Sequence, residues 1–88
     1  MNSLSASIEN DIEIPNLGKL VEVLKTHKGS MQMQSFIKRA SFNNLNTIIE
    51  EIKNEFGKLM VDQYGNYFCQ KLLHNVSSEQ RLKILRAL

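Results

Sequence analysis

The side chains of this 88-residue chain that could do chemistry are few. Its single cysteine, Cys69, excludes an intrachain disulfide and a cysteine-based zinc cage. His27 and His74 stand far apart in sequence with no thiol or carboxylate at ligand spacing, so neither a metal site nor a cofactor is expected. Glu50 and Glu51 are adjacent and diverge by about 100° on a helix, so they cannot act as a pair on one atom. Gly-rich phosphate loops and nucleophile elbows are absent, and no catalytic residue is assigned. What remains is a pattern of another kind: Asn66, Tyr67 and Gln70, preceded 36 positions earlier by Ser30, Met31 and Gln34. A side-chain amide offers a donor and an acceptor together, so two polar groups one helical turn apart can address the edge of a nucleobase. A flat or soft apolar group held between them can stack on the base, a contact that contributes about 1–3 kcal/mol when the group is aromatic.

Residues so used must be carried on a rigid, repeated element. From Leu17 onward the apolar period is helical: Leu17, Leu20, Val21 and Leu24 fall at i, i+3, i+4 and i+7, as do Leu45, Ile48, Ile49 and Ile52. Ser77 followed by Gln80 has the form of a capping box and opens a final helix. A shift of 36 residues lays Gly29 on Gly65, Gln34 on Gln70, Ser41 on Ser77 and Ile48 on Ile84, and most apolar positions follow. The chain therefore divides into an acidic, flexible lead-in over 1–16, a first unit over 17–52 and a second over 53–88. Each unit should hold a short first helix (about 17–27 and 57–63), a middle helix (about 30–40 and 66–76) and a third (about 42–54 and 78–88), with breaks at Gly29, Gly57 and Gly65. The expected fold class is all-α, an α-solenoid of two three-helix repeats.

On a helical wheel started at Asn66, Phe68, Cys69, Leu72, Leu73 and Val76 fill an arc of about 200° to 340°, the side that should be buried. Asn66, Gln70, His74, Tyr67 and Lys71 occupy the opposite arc, as do Ser30, Gln34, Lys38, Met31 and Ser35 in the first unit. Tyr67 and Met31 share one wheel position, where hydrophobicity alone would not put them. Cys69 reads as a small buried hydrophobe, Lys38 and His74 as solvated surface, and Met31 equally well as a gap filler between stacked units.

The run from Asp62 to Leu73, with Gly65-Asn66-Tyr67 and Gln70 at its centre, resembles the core of a Pumilio (PUF) repeat, whose length is also about 36 residues. The resemblance spans residues 18 to 88 and is stronger in the second unit. It implies sequence-specific binding of single-stranded RNA, one base per repeat, by two edge readers and a stacker. Asn66, Tyr67 and Gln70 match the family's uracil-reading combination. Ser30 with Gln34 resembles an adenine-reading pair, while Met31 departs from the aromatic or arginine usual at its position. The family binds RNA antiparallel to the chain, so the implied step is 5′-U-A-3′. The resemblance further implies a cytoplasmic protein acting on messenger RNA through its 3′ untranslated region, regulating translation or stability with protein effectors. The rival reading is a HEAT- or armadillo-like scaffold in which Tyr67 and Met31 anchor a protein partner.

Charge and length fit either. Residues 17–88 hold all eleven Lys and Arg against six Asp and Glu, so a body of net +5 follows a tail carrying Glu9, Asp11 and Glu13. Such a balance suits a polyanionic partner. The first sixteen residues lack the basic start and apolar run of a secretion signal, and nothing in the sequence approaches a membrane span. Two units are fewer than the three or so a solenoid usually needs. A fragment of a longer array, or a chain that relies on further repeats or self-association, is the expectation.

Overall fold

The computed structural model describes residues 12–88. Six α-helices follow one another: α1 (Leu20–Leu24), α2 (His27–Ile37), α3 (Phe42–Ile52), then, after a 3₁₀ turn at Lys53–Glu55, α4 (Phe56–Met60), α5 (Gly65–Asn75) and α6 (Ser78–Ala87). The two units stack side by side, α2 against α5 and α3 against α6, with α1 packed on both α2 and α3 and α4 packed on α5. One core runs through the joint, built from Leu20, Leu24, Met33, Ile37, Ile48 and Ile49 of the first unit and Leu59, Phe68, Leu72 and Ile84 of the second. Each such side chain contributes about 1.5–3 kcal/mol by leaving water, an upper figure because unfolded chains already bury part of their apolar surface.

Local hydrogen bonds set the boundaries and explain where they depart from the periodicity. Asn16 and Gly18 take left-handed backbone angles (φ 64° and 95°), so α1 starts at Leu20 rather than Leu17. Thr26 is extended; its hydroxyl accepts from the Gly29 amide at 3.0 Å and donates to the Val23 carbonyl at 2.7 Å, ending α1 and opening α2 at one residue. Asp62 does the same 36 residues on, its carboxylate accepting from the amides of Tyr64 and Gly65, each at 2.9 Å. Ser41 and Ser77 cap α3 and α6, and the capping box of Ser77 with Gln80 is complete.

The glycines, expected as breaks, are not breaks: Gly29 lies inside α2, Gly57 inside α4, and Gly65 is the first residue of α5. Their work is close approach. A Cβ on Gly29 would run into the Val23 carbonyl, and one on Gly65 would stand 2.8 Å from the Leu59 carbonyl oxygen. The first helix of each unit thus lies directly on the backbone of the middle helix.

The lead-in expected over 1–16 also needs correction where it is described. Residues 1–11 lie outside the described residues, whereas residues 12–18 form a strap over the first unit. Ile14 is buried in the core, and the Asn44 amide donates to the Ile12 carbonyl at 2.8 Å. Glu51, set aside above as a catalytic group, closes the strap: its carboxylate accepts from the amides of Gly18 (2.8 and 2.9 Å) and Leu20 (2.9 Å), the otherwise unpaired donors at the start of α1. One joint further, Gln80 repeats the Asn44 contact, donating to the Phe42 carbonyl and to Asn46 Oδ1, both at 3.0 Å. The strap therefore stands where a preceding unit would supply its carbonyl.

Gly29 and Gly57 should respond oppositely to alanine. At Gly29 the obstacle is backbone, which cannot swing aside, so Gly29→Ala should lose about 1–3 kcal/mol in urea unfolding. At Gly57 a Cβ meets only Leu88 Cδ2 at an ordinary 3.8 Å, and Gly57→Ala should gain about 0.5–1 kcal/mol from reduced chain entropy.

Candidate nucleic-acid interface

Packing α2 against α5 brings five of the six predicted site residues around one seam. Met31 and Tyr67, on equivalent turns of the two helices, are 57% and 59% exposed, far more than apolar groups of their size need be. Between them opens a cavity of about 460 Å³ whose walls include Ser30, Gln34, Tyr64 and His27. On the other side of Tyr67 a recess of about 290 Å³ is lined by Gln34, Gln70, Lys71 and His74. Neither space has a carboxylate in its wall, so nothing there repels an anionic ligand.

The edge-reading groups are held by hydrogen bonds of their own. Ser30, placed by the wheel on the open arc, is only 2% exposed, because that side of α2 faces the start of α5. Its hydroxyl donates to the Tyr64 carbonyl across the joint at 2.8 Å and accepts from Gln34 Nε2 at 3.0 Å. The one proton of Ser30 is thereby committed, and Gln34 keeps Oε1 and one amide proton for a ligand. Asn66 is half-buried. Its amide donates to the carbonyls of Asp62 (2.7 Å) and Gln63 (3.2 Å), and its Oδ1 accepts from Gln70 Nε2 at 3.2 Å. Gln70 is left with the same outward pair as Gln34, an oxygen and one proton. Asn66 differs from Ser30 in holding a second proton in a long, exposed bond that a ligand can take over.

Asp62 anchors this arrangement. The Gly65 and Tyr64 amides, bonded to its carboxylate, hold it below the usual carboxylate range, with a smaller contribution from the charge of Lys25. Cys69 is buried beneath α5, and loss of solvation pushes its thiol up to about 12, so it packs and does not react. His27 and Tyr64 were not among the predicted residues, yet they complete the cavity, their rings meeting edge to face with centroids 5.7 Å apart. Both precede the expected helix starts at 30 and 66; recognising Thr26 as a cap would have brought His27 onto the helix.

Stacked three-helix units with an amide-and-stacker seam define a helical-repeat protein built for an extended ligand. A profile of the Pumilio-family RNA binding repeat matches residues 55–88. A Pumilio domain-containing protein of Schizosaccharomyces pombe is 33% identical over 82 residues, covering 89% of this chain and 10% of that protein. Pumilio homolog 12 of Arabidopsis thaliana is 31% identical over 71 residues, covering 81% of this chain and 12% of the relative. No solved structure gives a significant match. The chain belongs to the Pumilio family of repeat proteins, and its second unit is an RNA-binding repeat of that family. It spans about a tenth of the length of the curated relatives it matches.

Two outcomes test the site's internal bonding. Ser30→Ala should cost about 0.5–1.5 kcal/mol in chemical unfolding, the worth of one hydrogen bond whose partner carbonyl loses its donor. Because the folded-state pKa of Asp62 is depressed, its cap stabilises fully above the ordinary value near 4 and is lost as pH falls through the lower folded value. An acid titration of stability should therefore be flatter below about pH 4 for Asp62→Asn, which still accepts but does not titrate there.

Proposed function

We propose that the chain binds single-stranded RNA along the seam of α2 and α5, one base per unit, in the order 5′-U-A-3′. The observation that carries this reading is the repeated window itself: an exposed stacker, Met31 or Tyr67, beside a glutamine whose amide is oriented by an internal bond. The free proton and oxygen of Gln70 complement O4 and N3–H of uracil, and the proton Asn66 can release from Gln63 suits O2. The same pair on Gln34 complements N1 and the N6 amine of adenine. Ser30, with its proton committed to Tyr64, has no donor to offer, which suits adenine, whose C2–H asks for none. The difference between the two bases then rests on a single position, Asn66 against Ser30.

Kinship with the Pumilio family supports messenger RNA as the target, contacted in its 3′ untranslated region, and regulation of translation or stability in the cytoplasm with the help of protein effectors. Two bases give little selectivity alone, so strong binding requires further repeats or a second binding module.

Titration of short RNAs that differ only at the U-A step, at low salt and followed by NMR, tests the reading. The Tyr67 ring and the side-chain amides of Gln34 and Gln70 should shift, and U-A should bind tighter than its variants. Tyr67→Ala should weaken binding by about 1–3 kcal/mol, and Asn66→Ala with Gln70→Ala should erase the preference for uracil. Equal binding by all sequences removes base reading; an unchanged affinity for Tyr67→Ala removes stacking.

A further inference from the structure

The two units are equivalent in sequence and unequal in surroundings, and the difference marks a surface. Leu24 and Ile49 of the first unit are 0% exposed, whereas their counterparts in the second, Met60 and Leu85, are 44% and 52% exposed. Ile37 is buried, while its counterpart Leu73 is only partly so. What distinguishes each pair is that a unit follows the first. Met60, Leu73 and Leu85, with the exposed Leu82, thus form an apolar face with the shape of the joint already seen between the units.

Charge narrows the occupant. Across the existing joint Lys83 of α6 approaches Glu50 of α3 at 3.9 Å. The 36-residue shift puts Arg86 where Glu50 stands, reversing the sign of that position, and puts Leu82 where Asn46 accepts from Gln80. A unit that copied the second one would bring its own lysine onto Arg86. Head-to-tail docking of a second copy is obstructed as well, since the strap over residues 12–18 covers the side of the first unit that would have to enter the joint.

We infer that the face of Met60, Leu73, Leu82 and Leu85 docks a further helical repeat unit that differs from the second by carrying an acidic side chain toward Arg86. The apolar contacts supply the attraction, and the charge selects which unit fits, as rim charges set partner choice more than affinity.

The test is to append a copy of residues 53–88 to the full chain, with the copy's counterpart of Lys83 either kept as Lys or changed to Glu. The acidic version should unfold in one cooperative transition with a midpoint roughly 5 °C or more above that of the 88-residue chain. It should also melt above the lysine version by a margin that shrinks as salt rises. Leu85→Lys should leave the 88-residue chain unchanged and abolish the gain in the extended one. Separate melting of the added unit overturns the docking face, and equal melting of the two versions overturns the acidic requirement. If the 88-residue chain sediments as a dimer that Leu85→Lys dissociates, the occupant is a second copy and the inference fails.

Discussion

The proton of Ser30 is the smallest part of this structure and the one on which most of the site depends. Given to the Tyr64 carbonyl, it ties the first unit to the opening turn of the second and leaves the hydroxyl oxygen to hold Gln34. One group thereby sets the spacing of the joint, the orientation of the neighbouring amide, and what that position can no longer donate. The cost is modest, because a carbonyl at a helix start would otherwise need water or another donor. In the second unit Asn66 orients Gln70 in the same way but draws on its own helix, bonding back to Asp62 and Gln63. The two units reach one outward geometry for glutamine by different means.

The joint has a second layer of buried polar contact. Asn44 and Gln80, both buried, each reach the carbonyl of a segment that precedes their own unit. Among the described residues no buried side-chain nitrogen or oxygen lacks a partner. Polar groups so placed fix the register between units, since a slide of one turn would strand them without acceptors at a cost of about 1–3 kcal/mol each. Apolar packing alone tolerates such a slide far better.

How much of this was legible in sequence follows from what kind of force acts. The apolar stripes of Leu45, Ile48, Ile49 and Ile52 gave α3 nearly to the residue, and the pairing of Ser77 with Gln80 gave the start of α6, because both signals are local. The 36-residue shift located the stackers and the glutamines, because position on a repeated helix is inherited from the period. Three things escaped. Thr26 as a cap was masked by an apolar pattern that continues past it, which displaced the start of α2 and hid His27. Glycines 29, 57 and 65 looked like punctuation, although Gly29 and Gly65 serve contacts with carbonyls that only a folded unit brings close. Ser30 was placed on the open arc since a wheel shows directions and not neighbours, and Glu51 acts on Gly18 and Leu20, thirty-odd positions away in sequence.

The strap has a consequence for how the molecule breathes. Stability in a stacked array is close to a sum of unit terms and nearest-neighbour terms. The first unit has a neighbour on both sides, the strap and the second unit; the second has one. Fluctuations therefore begin at the second unit, which can open while the first keeps its strap, and travel inward from there. The slowest amides to exchange with solvent are those of α1 to α3, and the stacker with the larger flat surface, Tyr67, sits on the more yielding helix, where a ligand that bridges both units would rigidify it most.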